Sequence, residues 1–207
     1  KVLFKRSYIF FLLLFSSVIF SNKDNSTLLI YGDSISAGYG MPKEKQWSED
    51  LKQIFLDQKL NISIENRSVS GETTGGGLSR LANVLDQTRP DYLLIELGGN
   101  DALRGYPPTK ILKNLNEMID LAKNRNIRVF LMQIKILPNY GKRYQEQFES
   151  IYLKASNEKK VTLLPFMLDN IALKEGMMLQ DGIHPNEKAQ PLIAQYVFND
   201  LKPHLNQ

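Results

Sequence analysis

Ser34 is a candidate nucleophile because it directly follows an apolar segment of the chain. Leu28–Tyr31 reads as a buried strand, and Gly32, Asp33 and Ser34 come next. Open α/β sheets place their chemistry just beyond the carboxyl ends of such strands. An unassisted hydroxyl is a poor nucleophile, so catalysis would also require a general base and donors for an oxyanion.

His184 is the candidate general base. The chain has only two histidines, and His204 lies in a polar segment where we expect it to be solvated. Pro185 biases His184 toward an extended loop conformation, and Asp181, three residues earlier, can accept a hydrogen bond from its ring. Such a carboxylate fixes the imidazole tautomer while the other ring nitrogen takes the serine proton. The same segment also fits a capping aspartate beside a surface histidine, so both interpretations stay open.

Three groups could donate to the oxyanion: the backbone N–H of Ser34, the backbone N–H of Gly71 and the side-chain amide of Asn100. Each follows a predicted strand, although a turn would also favour a glycine or an asparagine at these positions. A carboxylate aimed at the oxyanion would oppose its charge. We therefore expect the nearby acids to brace loops or cap helices instead: Asp33, Glu72 and Asp101.

Strands and helices alternate along the chain and would position these groups. The predicted strands span residues 28–32, 61–66, 91–97, 127–134 and 161–164. The predicted helices span residues 46–58, 78–89, 109–124, 142–157 and 186–201. Right-handed βαβ crossovers give a parallel sheet covered on both faces, so we expect an α/β fold with a five-stranded parallel sheet.

Residues 1–21 have the pattern of a secretory signal peptide, which leaves residues 22–207 as a single domain. Lys1, Lys5 and Arg6 precede an apolar run that is shorter than the roughly 20 residues of a spanning helix. An uncleaved membrane anchor is the alternative. Without these three cations the formal charge of +4 falls to about +1, so we expect no nucleic-acid partner.

The composition is that of one globular domain without cysteine chemistry. The chain of 207 residues is 43% hydrophobic and 23% charged, values that are ordinary for a soluble protein. It contains no cysteine, which excludes disulfides, thiolate metal sites and a cysteine nucleophile.

Four sequence blocks resemble those of the SGNH, or GDSL, hydrolases. They are Gly32-Asp33-Ser34, Gly71, Gly98-Gly99-Asn100-Asp101 and Asp181-Gly182-Ile183-His184-Pro185. Within that family the chain is most similar to the secreted Gram-negative enzymes that act as thioesterases, arylesterases and lysophospholipases. The resemblance implies a flavodoxin-like three-layer α/β/α sandwich that needs no cofactor or metal. It also implies Ser34 as nucleophile, His184 as base, Asp181 as orienting acid, and Ser34, Gly71 and Asn100 as oxyanion donors.

Apolar and aromatic side chains on the predicted loops could line an acyl groove: Leu103, Ile136, Leu137 and Tyr140. We therefore expect fatty-acyl esters and thioesters as substrates, including acyl-CoA and lysophospholipids. An exported enzyme meets few cytosolic thioesters, so we favour lysophospholipids or other envelope esters. We expect a periplasmic or secreted monomer that contacts membrane lipid transiently.

Two other functions fit the same predicted fold. A carbohydrate acetyl-esterase would need a shallow polar site instead of an apolar groove. A non-catalytic module would merely hold a small ligand at the strand ends, because a fold does not fix function.

Overall fold

A five-stranded parallel sheet forms the centre of the computed structural model, which describes residues 25–136 and 140–205. The strands are β1 (Ser26–Gly32), β2 (Ile62–Asn66), β3 (Tyr92–Glu96), β4 (Arg128–Met132) and β5 (Thr162–Leu164). Their order is β2-β1-β3-β4-β5, and every neighbouring pair is parallel. The predicted signal segment 1–21 and Leu137 lie outside the described residues.

Helices cover both faces of this sheet. They are α1 (Trp47–Asp57), α2 (Thr74–Thr88), α3 (Gly99–Leu103), α4 (Pro108–Lys123), α5 (Lys142–Lys159) and α6 (Gln190–Leu201). Helix α1 packs against α6, while α4 packs against both α2 and α5. With right-handed crossovers, α1 and α6 therefore lie on one face and α2, α4 and α5 on the other.

The two central strands are apolar because both of their faces are covered. Leu28–Tyr31 in β1 and Leu93–Ile95 in β3 are fully buried. The chain leaves β1 toward β2 and then returns to β3 on the other side of β1. Loops diverge at such a reversal of strand order and open a crevice at the carboxyl edge of the sheet.

The structure confirms the predicted α/β fold and the number of strands, but it adds a helix that the sequence analysis did not predict. Helix α3 begins immediately after β3, where a turn was expected. Gly98 makes this possible with a φ of 123°, and its carbonyl accepts the N–H of Ala102. Within the described part of the chain, no helix is long and apolar enough to cross a membrane.

The glycine-rich start of α2 has a packing role. Thr73 caps the helix by accepting a hydrogen bond from the N–H of Gly76 at 3.1 Å. A Cβ at Gly77 would lie 2.6 Å from Leu97 Cδ1, so any larger residue there would displace the buried Leu97 side chain. This contact fixes the helix beside the crevice.

Candidate active site

Ser34, His184 and Asp181 meet at the carboxyl edge of the sheet. Nε2 of His184 lies 2.8 Å from Oγ of Ser34, although the two residues are 150 positions apart in the chain. Nδ1 of the same ring lies 2.8 Å from Oδ2 of Asp181. With Nδ1 protonated, Nε2 can accept the serine proton, which is the geometry that activates a nucleophile.

Asp181 is held by its own loop. Its Oδ1 accepts the backbone N–H groups of Ile183 at 2.9 Å and His184 at 3.0 Å, while Oδ2 faces the imidazole. These hydrogen bonds, led by the one from the His184 N–H, lower the pKa of Asp181 to about 2. The carboxyl group is therefore ionised at neutral pH, and its side chain, which is 38% exposed, keeps access to water.

The loop that carries the imidazole is anchored on two sides. The carbonyl of His184 accepts the N–H of Leu179 at 2.7 Å, and Met178 bridges to Pro185 in an antiparallel pair. The ring of Tyr39 lies 4.4 Å from the ring of His184, measured between centroids. These contacts limit the positions that the imidazole can adopt.

The three predicted oxyanion donors line the same cavity as the imidazole: Ser34, Gly71 and Asn100. Gly71 adopts a φ of 78°, and nothing lies within 4 Å of a Cβ built there. Its backbone conformation therefore favours glycine. Asn100 lies in the first turn of α3, and its Nδ2 donates to Oδ2 of Asp33 at 3.1 Å.

Two of the three expected bracing acids do connect neighbouring elements. Oε2 of Glu72 pairs with Nε of Arg80 at 2.6 Å. Asp101 accepts both the backbone N–H and the hydroxyl of Thr74, at 2.7 and 2.6 Å, and so joins α3 to the start of α2. The predicted structural role of these two acids is confirmed.

Asp33 combines a bracing contact with a second contact that the sequence analysis missed. Its Oδ1 accepts the N–H of Ile35 at 3.0 Å, as expected for a turn, while Oδ2 accepts the amide of Asn100. The residue is 4% exposed, and burial raises its pKa to about 6. Asp33 therefore joins the turn that carries Ser34 to the first turn of α3.

Glu96 is a further buried acid that the sequence analysis did not single out. It pairs with Gly32 in the sheet register, and its Oε2 accepts the hydroxyl of Ser36 at 2.7 Å. Burial, followed by the negative charge of Asp33, raises the pKa of Glu96 well above its usual value. In the sequence, Glu96 could have been found as the one charged residue at the end of the otherwise apolar strand β3.

An apolar cavity of about 580 Å³ adjoins these groups. Of the residues expected in an acyl groove, Leu103 and Ile136 line this cavity, whereas Tyr140 is not among its described lining residues. Further lining side chains come from the segment between β5 and His184, which sequence periodicity left unassigned: Phe166, Leu168, Ala172, Leu173, Met178 and Ile183. The cavity can accommodate an apolar chain beside the serine hydroxyl. No group of three or more potential metal ligands occurs among the described residues.

Comparisons with known proteins agree with this geometry. Residues 30–191 match the GDSL-like lipase/acylhydrolase family. An arylesterase of Vibrio mimicus is 46% identical over 194 residues, which cover 94% of this chain and 97% of that protein. An Escherichia coli protein named as a thioesterase, protease and lysophospholipase is 43% identical over 180 residues, or 87% of this chain and 85% of that protein.

A solved structure is similar over nearly the same extent. The psychrotrophic esterase EstA from Pseudoalteromonas sp., crystallised with inhibition by monoethylphosphonate, has a TM-score of 0.86 and 40% sequence identity. The match covers 88% of this chain and all of that one. The chain belongs to the GDSL-like lipase/acylhydrolase family and is a serine ester hydrolase. The family resemblance drawn from the four sequence blocks is confirmed.

Proposed function

We propose that this enzyme hydrolyses fatty-acyl esters and thioesters through an acyl-enzyme formed on Ser34. The observation that carries the proposal is the pair of 2.8 Å contacts that joins Ser34, His184 and Asp181 beside an apolar cavity. Nucleophile, base and orienting acid are then in reach of one another, and an acyl chain has a surface on which to lie.

In the first half of the reaction, Oγ of Ser34 attacks the carbonyl carbon while Nε2 of His184 takes the hydroxyl proton. Negative charge develops on the carbonyl oxygen, where the N–H groups of Ser34 and Gly71 and the amide of Asn100 donate hydrogen bonds. The imidazolium passes its proton to the departing alcohol or thiol as the bond to the carbonyl carbon breaks. Asp181 stabilises the imidazolium throughout.

In the second half, a water molecule attacks the acyl-enzyme. Nε2 of His184 takes one proton from that water, and the new tetrahedral species uses the same oxyanion donors. When the bond between the acyl carbon and Oγ breaks, the proton returns to Ser34 and a free carboxylic acid leaves. The enzyme is restored without any cofactor.

The lining of the cavity favours substrates with a longer acyl chain over substrates with an acetyl group. Its walls are mainly aliphatic and aromatic, with Leu173 at the outer end and Ile136 and Phe166 among its other lining residues. The Escherichia coli relative is named as both a thioesterase and a lysophospholipase, and a substrate of either activity can carry such an acyl chain. We therefore favour lysophospholipids and other acyl esters, with brief contact to lipid surfaces, over a carbohydrate acetyl-esterase or a non-catalytic binding module.

We also propose that residues 1–21 form a cleaved signal peptide and that residues 22–207 form one exported domain, which is periplasmic or secreted and acts as a monomer. The support is the order of basic, apolar and polar residues at the start of the chain. Amino-terminal sequencing of the exported protein and its mass in solution test these points. Recovery of an uncut chain in the membrane fraction would contradict them.

The function is tested by a chain-length profile on p-nitrophenyl esters and acyl-CoA thioesters. We expect octanoyl substrates to be hydrolysed faster than acetyl substrates, and Ser34→Ala to abolish turnover and labelling by a fluorophosphonate. Ser150→Ala, an exposed serine on α5, is the matched control and should retain both. Full activity in Ser34→Ala would overturn the nucleophile, while equal rates on acetyl and octanoyl esters would overturn the acyl groove.

A further inference from the structure

The orientation of the Asn100 side chain decides whether this residue helps or opposes catalysis. The oxygen and nitrogen ends of a side-chain amide are almost the same size, so packing alone does not distinguish them. With Nδ2 toward the oxyanion the residue donates a hydrogen bond. With Oδ1 there it would place an acceptor against developing negative charge.

We propose that Asp33 is a positioning residue that holds the Asn100 amide with its nitrogen toward the oxyanion. This inference rests on the proposed function and adds a residue to it. The contact that carries it is the 3.1 Å hydrogen bond from Nδ2 of Asn100 to Oδ2 of Asp33. One hydrogen of the amide nitrogen points at the carboxylate, which leaves the other for the substrate.

The carboxylate can do this because its own orientation is fixed. Oδ1 of Asp33 accepts the N–H of Ile35 at 3.0 Å, so Oδ2 is the oxygen that faces Asn100. An ionised carboxylate only accepts hydrogen bonds, and it therefore excludes the flipped amide, which would set two acceptors against each other. A Cβ at Gly99 would lie 3.2 Å from Oδ2 of Asp33, so the start of α3 packs closely on this oxygen.

Several ionisable groups face Asp33 from the elements around it. Glu96 lies on β3, Asp101 on α3 and His184 on the loop after β5, and Tyr152 of α5 lies farther out beside Leu97. Burial, followed by the negative charge of Asp33, raises the pKa of Glu96 well above its usual value, which favours the uncharged form of Glu96 beside Asp33. Hydrogen bonds from Ile35 and Asn100 and the nearby His184 oppose the effect of burial on Asp33, and its pKa of about 6 places its ionisation just below neutral pH.

Asp33→Asn tests the proposal, and Asp101→Asn is its matched control. Both aspartates are buried, and both accept one backbone N–H and one side-chain donor, but Asp101 contacts Thr74 instead of Asn100. We expect Asp33→Asn to lower kcat about 10- to 100-fold with KM nearly unchanged, because the lost hydrogen bond acts in the transition state. Asp101→Asn should lower the melting temperature while the folded protein keeps its kcat within about threefold.

A double-mutant cycle separates positioning from a general structural effect. Asn100→Ala alone should cost about 10²- to 10³-fold in kcat. Once that amide is gone Asp33 has nothing left to orient, so adding Asp33→Asn should cost less than about threefold more. If Asp33→Asn is equally harmful with and without Asn100, or harmless with it, the proposal is wrong.

The pH profile gives a second readout. Protonation of Asp33 releases the amide, so kcat/KM of the wild type should show a loss of activity from this group that is centred near pH 6. Asp33→Asn should lack this titration, while Asp101→Asn should keep it, moved toward lower pH because the carboxylate of Asp101 raises the pKa of Asp33. Identical limbs in wild type and Asp33→Asn would overturn the proposal.

If Asp33→Asn fails to fold, Asp33→Ser replaces it. A serine can still accept the N–H of Ile35 but is too short to reach Asn100. The proposed function is checked separately in every variant by fluorophosphonate labelling. Slow turnover with Ser34 still labelled is expected for a positioning defect, whereas failure of the wild type to be labelled would overturn the proposed function itself.

Discussion

The proposed active site contains two aspartates, Asp181 and Asp33, which lie in opposite surroundings. Asp181 lies on a surface loop, where three hydrogen bonds hold its pKa at about 2. Asp33 lies under the serine turn, where burial raises its pKa to about 6 in spite of two hydrogen bonds. We call the first region the proton-transfer half (Asp181 and His184) and the second the oxyanion half (Asp33 and Asn100).

This contrast shows how a protein can keep one carboxylate ionised at all working pH values while the ionisation of another depends on pH. Because Asp181 is partly exposed, its ionised form loses little hydration. Hydrogen bonds to the carboxylate then lower its pKa, so it stays ionised throughout the working pH range. Burial disfavours the ionised form of Asp33, so its charge depends on its few partners and on pH. We therefore expect the proton-transfer half to give the larger losses on mutation and the oxyanion half to give the larger response to pH.

The largest loss should come from His184→Ala. Without the imidazole no group can take the proton of Ser34, and kcat should fall by about 10⁴- to 10⁶-fold on p-nitrophenyl octanoate. Adding Ser34→Ala to this variant should cost little more, because the two residues act as a unit. A residual rate within tenfold of wild type would remove His184 from the reaction.

Asp181→Asn should cost less, about 10³-fold in kcat. An asparagine could still contact Nδ1, but it would not stabilise the imidazolium and could select the wrong tautomer. Asp169→Asn is a matched control, since that aspartate lines the same cavity but pairs with Lys135 instead of the imidazole. Equal losses of kcat in the two variants would mean that Asp181 acts only through its negative charge near the site and not through its contact with His184.

The two halves should also change protein stability with pH in opposite directions. Asp181 has a lowered pKa in the folded state, so the stability that it adds is present above the unfolded value of 3.8 and is lost as the pH falls toward 2. Asp33 has a raised pKa in the folded state, so between about pH 4 and 6 the folded protein binds more protons than the unfolded chain. The free energy of unfolding of the protein therefore decreases as the pH rises through this range.

Urea denaturation of wild type, Asp181→Asn and Asp33→Asn between pH 2 and pH 7 measures these trends. Asp33→Asn should become more stable relative to wild type as the pH rises through 4 to 6, and Asp181→Asn should become less stable relative to wild type between about 2 and 4. If the stability of both variants relative to wild type changed in the same direction with rising pH, the two aspartates would not differ in the way proposed.

The smallest effect should come from the acyl cavity beside the proton-transfer half. Leu173 lines the cavity and is 94% exposed, so its side chain has few contacts to lose in the empty enzyme. Leu173→Ser should lower kcat/KM for octanoyl esters about 3- to 10-fold and leave acetyl esters unchanged. Leu56→Ser, at a leucine on α1 that is 69% exposed, is the control and should change neither substrate.

Much of the fold follows from local patterns. Apolar runs such as Leu28–Tyr31 and the amphipathic helices were recognisable because burial on one or two faces imposes a period on the sequence. Helix α3 was missed because a five-residue helix has too few turns to show a period, and its Gly98–Gly99 start is typical of a turn.

The lining of the cavity was predicted only in part. Leu103 and Ile136 were anticipated, but Phe166, Leu168 and Leu173 were not. The segment that carries them has neither a helical nor an alternating pattern, so sequence does not tell which of its side chains face the substrate. The predicted groove role of Leu137 and Tyr140 stays a prediction.

The sequence by itself singled out Asp181 and His184 as a candidate pair, because a separation of three residues on one short loop lets the carboxylate meet both the ring and its backbone N–H. Only the tertiary structure revealed the contact between Asp33 and Asn100. Asp33 meets Asn100 from 67 residues away, and Gly32 lies opposite Glu96, only because β3 returns to pair with β1 in one particular register. Strand order and register arise from the packing of the whole core, and no local pattern encodes them.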